Sequence, residues 1–411
     1  STHFMNYLPD FSIFPYHSTK KRGFIMTFQY YLPTKILFGP GTLAQLHQTG
    51  LPGSHALIVT TTGKSVKRLG YLDRLQEQLT AGGAVCTLYD KVSPNPTRDQ
   101  VMEGAALARQ AGCDFLVALG GGSAIDAAKA IALMAVNEGD LWDYVRDGSG
   151  RGIPPEHQPL PLIAIPTTAG TGSEVDAGSV ISYPERNEKV SCGTPWSFPV
   201  CSIVDPELML SVPPVLTAYQ GFDVLFHALE CYLSKAASPV SDLFALDAVK
   251  RVMRSLPQAV RQGSDLEART DMAWASTEAG FCLTLSGLTA QHSLEHSLSG
   301  FYPGLTHGAG LILIARAYLD RCARQDAYRD RMIELTKAMG APENAQPETL
   351  SALLEHLLHN CGVDGLKMSD FGIERAMLPA VAHMSVDRRY ANERAPLCEE
   401  EALQILETSY L

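Results

Sequence analysis

One aspartate and four histidines have spacings that could build a metal centre. Asp223 and His227 lie four residues apart in an apolar segment, so a helix places both side chains on one face. His292 and His296 form a second pair with the same spacing, and His307 follows 11 residues later. One carboxylate and three imidazoles can hold a divalent ion and leave a coordination position open for a substrate or water. Such a nitrogen and oxygen set suits Fe(II) or Zn(II), and residue types alone do not separate the two metals.

A single histidine in an apolar helix is more often a hydrogen-bonded core residue than a metal ligand. Here two spaced pairs and a fifth residue coincide, which favours the metal centre over the alternative. Glu230 and Glu295 lie close to the histidines in sequence. They could support the ligands from behind, or they could be solvated or capping residues.

A glycine cluster in the first half of the chain has the character of a phosphate-binding turn. Gly120-Gly121-Gly122-Ser123 follows the apolar run FLVAL and opens a helical pattern. Glycines let a ligand approach the backbone, and a helix N-terminus offers free N–H groups to a diphosphate. Ser123 is predicted to cap the helix or donate its hydroxyl, with Asp126 at the capping-box position. The fingerprint GxGxxG is absent, so a simple tight turn remains the alternative.

A second segment, PTTAGTGSE at 166–174, concentrates hydroxyls and accessible backbone directly after another predicted strand. Alone it could be a polar loop that caps a helix. Ligands of open α/β sheets gather at the carboxyl ends of the strands, however. Two such loops in one sheet therefore favour a nucleotide site.

The elements that must position these residues change character along the chain. In the first half the hydrophobic patterns predict strands at 55–61, 84–89, 115–119 and 160–167, and helices at 65–80, 98–111 and 124–135. Strands alternating with helices indicate βαβ units and a parallel sheet covered on both faces. In the second half they predict only helices, at 215–235, 241–262, 266–287, 289–300, 308–324, 327–339, 347–361 and 399–409. We therefore predict an α/β domain over 26–212 and a helical domain over 213–411.

Composition excludes several classes of protein. The 411 residues include 44 acidic and 33 basic side chains, a formal net charge of -11, which argues against a nucleic-acid or anionic-membrane binder. No apolar run is long enough to span a membrane. Nine scattered cysteines without a CxxC pair favour a reducing, cytoplasmic location. Residues 1–25 are predicted to be a poorly ordered leader or extension.

Five segments together resemble the iron-dependent, group III alcohol dehydrogenase family. They are GGGSAIDAAKA (120–130), PTTAGTGSEV (166–175), VDPEL (204–208), LTAYQGFDVLFHALECY (216–232) and HSLEHSLSGFYPGLTHGAGLIL (292–313). The similarity is collinear from about Tyr31 to the C-terminus. It implies a Rossmann-like dinucleotide-binding domain, an all-α domain as in dehydroquinate synthase-like proteins, and a metal in the cleft between them.

The resemblance also implies roles for individual residues. The positions that match the metal ligands, for Fe(II) or alternatively Zn(II), are Asp223, His227, His292 and His307. His296 matches a histidine beside the substrate that is not a ligand, and we predict that it relays a proton. The positions that match cofactor contacts are Gly121, Gly122, Ser123, Asp126, Thr167, Thr168, Thr171 and Lys189. The spacing from His296 to His307 is one residue longer than in many members.

The function implied is a metal-dependent, NAD(P)-linked alcohol dehydrogenase or aldehyde reductase. The metal would polarise the oxygen of a small alcohol or aldehyde while hydride passes between its carbon and the nicotinamide. The alternatives are a polyol (glycerol-type) dehydrogenase, a dehydroquinate-synthase-like lyase and a sensor without turnover. The lyase should need basic residues beside the histidines, which are lacking, and the intact ligand set argues against the sensor. We expect a homodimer or a higher homo-oligomer.

The choice between NAD and NADP depends on the residue after the first strand of the α/β half. Many NAD-using members of the resembled family have an aspartate there, whereas this chain has Thr61. Lys64, Lys67 and Arg68 follow, and the next acid is Asp73. Without a carboxylate to repel a 2′-phosphate, the sequence slightly favours NADP. Alternatively, these cations only solvate the start of a helix.

Overall fold

The α/β half is built on one parallel sheet. The computed structural model describes residues 27–386 and 390–410, so the predicted leader at 1–25 lies outside the described residues. The strands are β1 (Lys35–Phe38), β2 (His55–Thr61), β3 (Val85–Val92), β4 (Phe115–Gly120), β5 (Leu162–Pro166), β6 (Ser179–Tyr183), β7 (Glu188–Cys192) and β8 (Cys201–Val204). Six of them form the sheet in the order β1-β8-β5-β4-β2-β3, and all pairs are parallel. This confirms the predicted fold class.

Helices cover both faces of the sheet. They are α1 (Ser65–Arg68), α2 (Tyr71–Ala81), α3 (Arg98–Ala111), α4 (Gly122–Met134) and α5 (Leu141–Tyr144). Alternate residues of β4 belong to two separate apolar cores, with Leu116 on one side and Val117 on the other, which explains its uninterrupted apolar run. The helix predicted at 65–80 is divided in two, because Gly70 adopts a positive φ of 72° between α1 and α2.

Several elements of the α/β half, α5 among them, were not predicted from the sequence. β1 and β8 have only four residues each, too few for a clear pattern. β6 and β7 form an antiparallel hairpin outside the main sheet. Its turn uses Asn187 with a φ of 52° in place of the glycine that would have marked it.

The second half is helical, as predicted. It contains α6 (Pro214–Leu233), α7 (Pro239–Arg261), α8 (Leu266–Ser286), α9 (Ala290–Phe301), α10 (His307–Ala323), α11 (Arg329–Ala338), α12 (Thr349–Asn360), α13 (Leu378–Val386) and α14 (Glu399–Thr408). Eight of these match predicted helices to within two residues at each end, and only the nine-residue α13 was missed. α6 contacts α7, α8 and α10 and is buried over most of its surface. The chain from Tyr31 onward forms one compact unit, so the predicted boundary at 212/213 stays a prediction.

Two further observations concern the cysteines and the lengths of the apolar helices. All nine cysteines are free thiols. Among the helices of the described ranges, none combines the length and the apolar composition that crossing a bilayer requires.

The two halves meet closely at a pair of glycines, and this contact gives a stability prediction. Gly172 has a φ of 66°, and a Cβ on it would lie 2.6 Å from the backbone nitrogen of Gly280 in α8. Gly172→Ala should therefore destabilise the protein by about 1–3 kcal/mol from the left-handed backbone alone. Urea unfolding of the variant, with Gly340→Ala as a positive-φ control that has open space around it, separates the steric contact from the backbone strain. An equal loss of unfolding free energy in Gly172→Ala and Gly340→Ala would contradict the importance of this contact.

Candidate metal and nucleotide site

Three helices bring the predicted ligands to one point. α6 carries Asp223 and His227, α9 carries His292, and His307 is the first residue of α10. Measured from Asp223 Oδ1, His227 Nδ1 and His292 Nε2 both lie at 3.5 Å and His307 Nε2 lies at 3.6 Å. The ligand atoms of Asp223, His292 and His307 are all within 4.8 Å of one another. The structure therefore brings together the four residues that the sequence singled out.

The hydrogen bonding of these atoms fits a bound cation. Asp223 Oδ1, His227 Nδ1 and His292 Nε2 are buried, and each lacks a hydrogen-bond partner. An unsatisfied buried polar atom costs about 1–3 kcal/mol, so a cluster of three requires a reason. Burial lowers the pKa of His227 to about 3, which leaves its imidazole neutral, whereas at His292 Glu230 and Asp223 outweigh burial and raise the pKa to about 10, so an ion that binds His292 would displace a proton. A divalent ion at this point would satisfy all three atoms.

Two buried glutamates hold ligand histidines from behind. His292 Nδ1 contacts Glu230 Oε1, and His307 Nδ1 contacts Glu295 Oε2. A carboxylate that accepts the Nδ1 proton leaves the Nε2 lone pair directed at the metal, which is the usual arrangement behind metal-binding histidines. Of the two roles that the sequence left open for these glutamates, the structure thus favours support of the ligands.

His296 lies beside His292 and His307, but it does not belong to the group of candidate ligands that surrounds Asp223. Its ring centroid is 5.4 Å from that of His307 and 6.2 Å from that of His292. One of its ring nitrogens lies within 4.8 Å of a carboxylate oxygen of Glu295 and a ring nitrogen of His307. The side chain is half-buried. Its role in proton transfer stays a prediction.

The two predicted nucleotide loops touch each other. Gly120 pairs with Pro166 across β4 and β5, and Thr167 N donates to Gly120 O at 2.9 Å. A Cβ on Gly121 would lie 2.7 Å from Thr168 Oγ1. The loops therefore form a single surface at the carboxyl ends of neighbouring strands, beside the N-terminus of α4.

The helix N-terminus differs from the sequence prediction. Gly121 is the N-cap of α4 and no side chain caps the helix, so the predictions of Ser123 as the cap and of a capping box with Asp126 are wrong. The alternative role of Ser123, donating its hydroxyl to a ligand, stays a prediction. Asp126 instead accepts from Ser173 Oγ at 2.6 Å and from Val180 N at 2.8 Å. It thus ties α4 to the second loop. Ala124 N and Ile125 N donate to Gly121 O, so the N–H groups of Gly122 and Ser123 are the ones left available to a ligand.

The second loop runs from the glycine turn to the metal site. Near the turn, a Cβ on Gly122 would lie 2.5 Å from Thr171 Cγ2. Between Thr168 and Thr171, a Cβ on Gly170 would lie 3.4 Å from Asp223 Oδ2. One short segment therefore contacts both the candidate diphosphate site and the candidate metal ligand, so a dinucleotide bound here can extend towards the metal.

Two predicted cofactor residues have surroundings that the sequence did not reveal. Lys189 Nζ donates to Ser299 Oγ at 2.9 Å, inside the helical half.

Thr61 ends β2 at the strand's carboxyl end, as expected. Lys67, one of the cations near it, pairs with Asp90 of β3. Asp90 was missed because it follows 23 residues later and only strand pairing brings it close.

A parallel sheet with a glycine turn beside a cluster of histidines and one aspartate is typical of nucleotide-linked, metal-dependent enzymes. Sequence comparison identifies the family. Residues 33–206 match the family model for iron-containing alcohol dehydrogenase, and residues 217–410 match that for the C-terminal part of the Fe-containing alcohol dehydrogenase family. The chain belongs to this family.

Individual relatives agree with this assignment. The chain is 36% identical to alcohol dehydrogenase 4 of Schizosaccharomyces pombe, covering 84% of this chain and 81% of that protein. It is 34% identical to 1,3-propanediol dehydrogenase of Klebsiella pneumoniae, covering 87% and 92%. The crystal structure of sulfoacetaldehyde reductase from Bifidobacterium kashiwanohense in complex with NAD+ superposes with a TM-score of 0.83 at 32% identity, covering 94% and 99%. The chain is thus an iron-type, NAD(P)-linked alcohol dehydrogenase or aldehyde reductase, as predicted.

Proposed function

We propose that Asp223, His227, His292 and His307 bind one Fe(II) ion per chain and that this ion is the centre of catalysis. The observation that carries the proposal is the convergence of three buried, unpartnered ligand atoms on one point. When bound, the ion supplies Lewis acidity to the substrate oxygen, and the nicotinamide exchanges the hydride. A set of four protein ligands on rigid helices also leaves room for the substrate to approach.

The protein residues then position the reactants and move a proton. The N–H groups at the start of α4 and the hydroxyls of Thr167, Thr168 and Thr171 hold the diphosphate and the nicotinamide, while Gly170 lets the second loop pack against α6 beside Asp223. A ring nitrogen of half-buried His296 passes the proton between the substrate oxygen and solvent. The roles proposed for Ser123, Asp126 and Lys189 at the cofactor rest on the family resemblance alone.

We propose a small alcohol or aldehyde as the substrate. A diol or other polyol is the second candidate, because the similarity to 1,3-propanediol dehydrogenase extends over 87% of the chain. The test is NAD(P)H oxidation with a panel of small aldehydes, and alcohol oxidation with 1,3-propanediol and glycerol, after anaerobic loading with Fe(II) or Zn(II). We expect turnover with Fe(II) that is lost in air. Air-stable turnover with Zn(II) alone would overturn the choice of iron, and no turnover with either metal would favour a sensor.

Cofactor choice gives a further prediction. Lys64 and Arg68 are exposed in the segment that follows Thr61, and Thr61 occupies the position of the aspartate that would repel a 2′-phosphate. We therefore expect kcat/KM for NADPH to equal or exceed that for NADH with one good aldehyde. Because Asp90 already pairs with Lys67, we propose that Lys64 and Arg68 contact the 2′-phosphate of NADPH.

Thr61→Asp provides the matched variant for this test. The new carboxylate should lower kcat/KM for NADPH by about tenfold, roughly 1.4 kcal/mol in transition-state binding, and leave the value for NADH nearly unchanged. If the wild-type enzyme preferred NADH by more than about tenfold, some other group would read the 2′-hydroxyl and Thr61 would not be the discriminating position.

We also propose that the chain is a cytoplasmic homodimer or a higher homo-oligomer. Its free thiols are compatible with a reducing compartment. Sedimentation equilibrium of the purified enzyme measures the assembly, and a mass near 44.5 kDa would contradict it.

A further inference from the structure

A residue near the C-terminus contacts the helix that carries His292. Glu393 lies between α13 and α14 in the chain, and its side chain is almost completely buried. Its Oε1 accepts from the backbone nitrogen of Ala290, the first residue of α9, at 2.8 Å. The two residues are 103 positions apart, so only the packing of the helical half joins them. A residue outside the predicted site therefore holds the start of a helix that carries a candidate metal ligand.

Two buried carboxylates together satisfy the N-terminus of α9. Thr289 is the N-cap residue, and its own side chain makes no capping hydrogen bond. Glu230 Oε2 accepts from the backbone nitrogens of Thr289 at 3.0 Å and His292 at 3.4 Å. Glu393 accepts from that of Ala290, between them. Carboxylates at a helix N-terminus satisfy N–H groups that lack partners within the helix and stabilise the positive end of its dipole. The first turn of α9, which includes His292, is thus fixed by two acidic side chains.

Hydroxyl groups connect the two carboxylates. Thr289 Oγ1 donates to Glu230 Oε2 at 3.0 Å. The hydroxyl of Tyr318, a fully buried residue of α10, lies 2.7 Å from Thr289 Oγ1 and 2.7 Å from Glu393 Oε1. Its single hydrogen can be donated to either oxygen. A continuous set of buried polar contacts therefore runs from Glu393 to Glu230, the carboxylate that holds His292.

The other oxygen of Glu393 is held by residues outside α9. Its Oε2 lies 3.2 Å from Nη1 of Arg321, in α10, and contacts the hydroxyl of Tyr328, directly before α11. Hydrogen bonds between charged groups are stronger than those between neutral groups. The carboxylate is therefore fixed relative to the body of the helical half, and it can fix the start of α9 in turn.

We propose that Glu393 is a positioning residue for the metal ligand His292. It holds the first turn of α9 directly, and through Tyr318 it also restrains Glu230, the carboxylate that orients the His292 ring. The C-terminal part of the chain thus supports the metal centre, although Glu393 itself is not a ligand. This inference rests on the metal site proposed above.

The test is the affinity of the full-length protein for Fe(II), measured anaerobically by competition with a chelator. Tyr318→Phe removes the hydroxyl that faces Thr289 and leaves the ion pair of Glu393 with Arg321 in place. We expect the dissociation constant for Fe(II) to rise about threefold to tenfold, less than the 10- to 100-fold that is typical for a residue in contact with a ligand. The dissociation constant for NADH, from the fluorescence of the bound nucleotide, should stay close to the wild-type value.

Tyr328→Phe is the matched control. It also removes a buried hydroxyl from the Glu393 carboxylate, but this hydroxyl contacts the other oxygen, Oε2. Because both variants lose a hydrogen bond to Glu393, the melting temperatures of their metal-free forms should fall by similar amounts. Only Tyr318→Phe should weaken Fe(II) binding. Equal Fe(II) affinities in the two tyrosine variants would contradict the proposal, because metal binding would then not depend on how the start of α9 is held.

Glu393→Gln tests the carboxylate itself. The amide keeps the shape of the side chain but loses the charge that pairs with Arg321 and faces the N-terminus of α9. Fe(II) affinity should fall by a larger factor than in Tyr318→Phe, and the double variant should lose less than the product of the two factors, since both act through shared contacts.

Two results for Glu393→Gln would overturn its role. They are wild-type Fe(II) affinity in the single variant and fully multiplicative losses in the double variant with Tyr318→Phe. If Glu393→Gln does not fold, the comparison of the two tyrosine variants still decides the question. If the wild-type protein itself bound no Fe(II), the metal site would fail instead.

Discussion

The variant His292→Ala is expected to purify with almost no bound metal. His292 Nε2 faces Asp223 Oδ1 at 3.5 Å, and Glu230 holds the opposite side of the ring. Loss of a residue that merely orients a ligand already costs about 10- to 100-fold in metal affinity, so loss of one of four ligands should cost more. The substitution also leaves Glu230 buried without its imidazole partner, which adds an unpaired charge to the site. Elemental analysis of anaerobically purified protein measures the result.

An exposed histidine provides the control for this experiment. His356→Ala removes an imidazole on α12 that is exposed and contacts Asn360, and it should leave the metal content at the wild-type level. If His292→Ala also retained one ion per chain, His292 would not be a ligand. Because the variant could fold poorly, the melting temperature of its metal-free form should be compared with that of metal-free wild type.

The second large effect is expected for His296→Ala, which should lose turnover and keep its metal. His296 lies next to His307 but groups with Glu295 instead of Asp223, so its removal leaves the ligand set intact. A group that transfers a proton in the rate-limiting step typically contributes about 10²- to 10⁴-fold. We expect kcat to fall by this factor, measured by NAD(P)H oxidation with a good aldehyde, while the iron content stays at the wild-type level.

Three other results for His296→Ala are informative. A normal kcat with normal metal would mean that water alone carries the proton. Loss of the metal would make His296 a ligand and reverse the assignment of the pair His292 and His296. Partial recovery of kcat by added imidazole, at unchanged metal content, would support the proton relay directly.

Much of the fold could be predicted because its signals are local. The helix at 98–111 was predicted with its observed bounds, since Thr97 and Gln100 form a capping box and Gly112 ends it with a positive φ. The fully apolar β4 and the glycines after it indicated a buried parallel strand and a turn. The short β1 and β8 carry no such local signal, because pairing with neighbouring strands stabilises them.

In the candidate site, too, some features could be predicted from the sequence and others depend on tertiary packing. The sequence determined the chemical types of the ligands and their place on helix faces, because a spacing of four residues aligns Asp223 with His227 before any tertiary contact forms. Only the tertiary structure decided which atoms face one another around Asp223 and which residues hold them. Lys189 and Ser299 are 110 residues apart in the chain, and Glu230 and His292 are 62 apart. Contacts over such separations depend on how β7, α6 and α9 pack, and packing is a property of the whole core that no local pattern encodes.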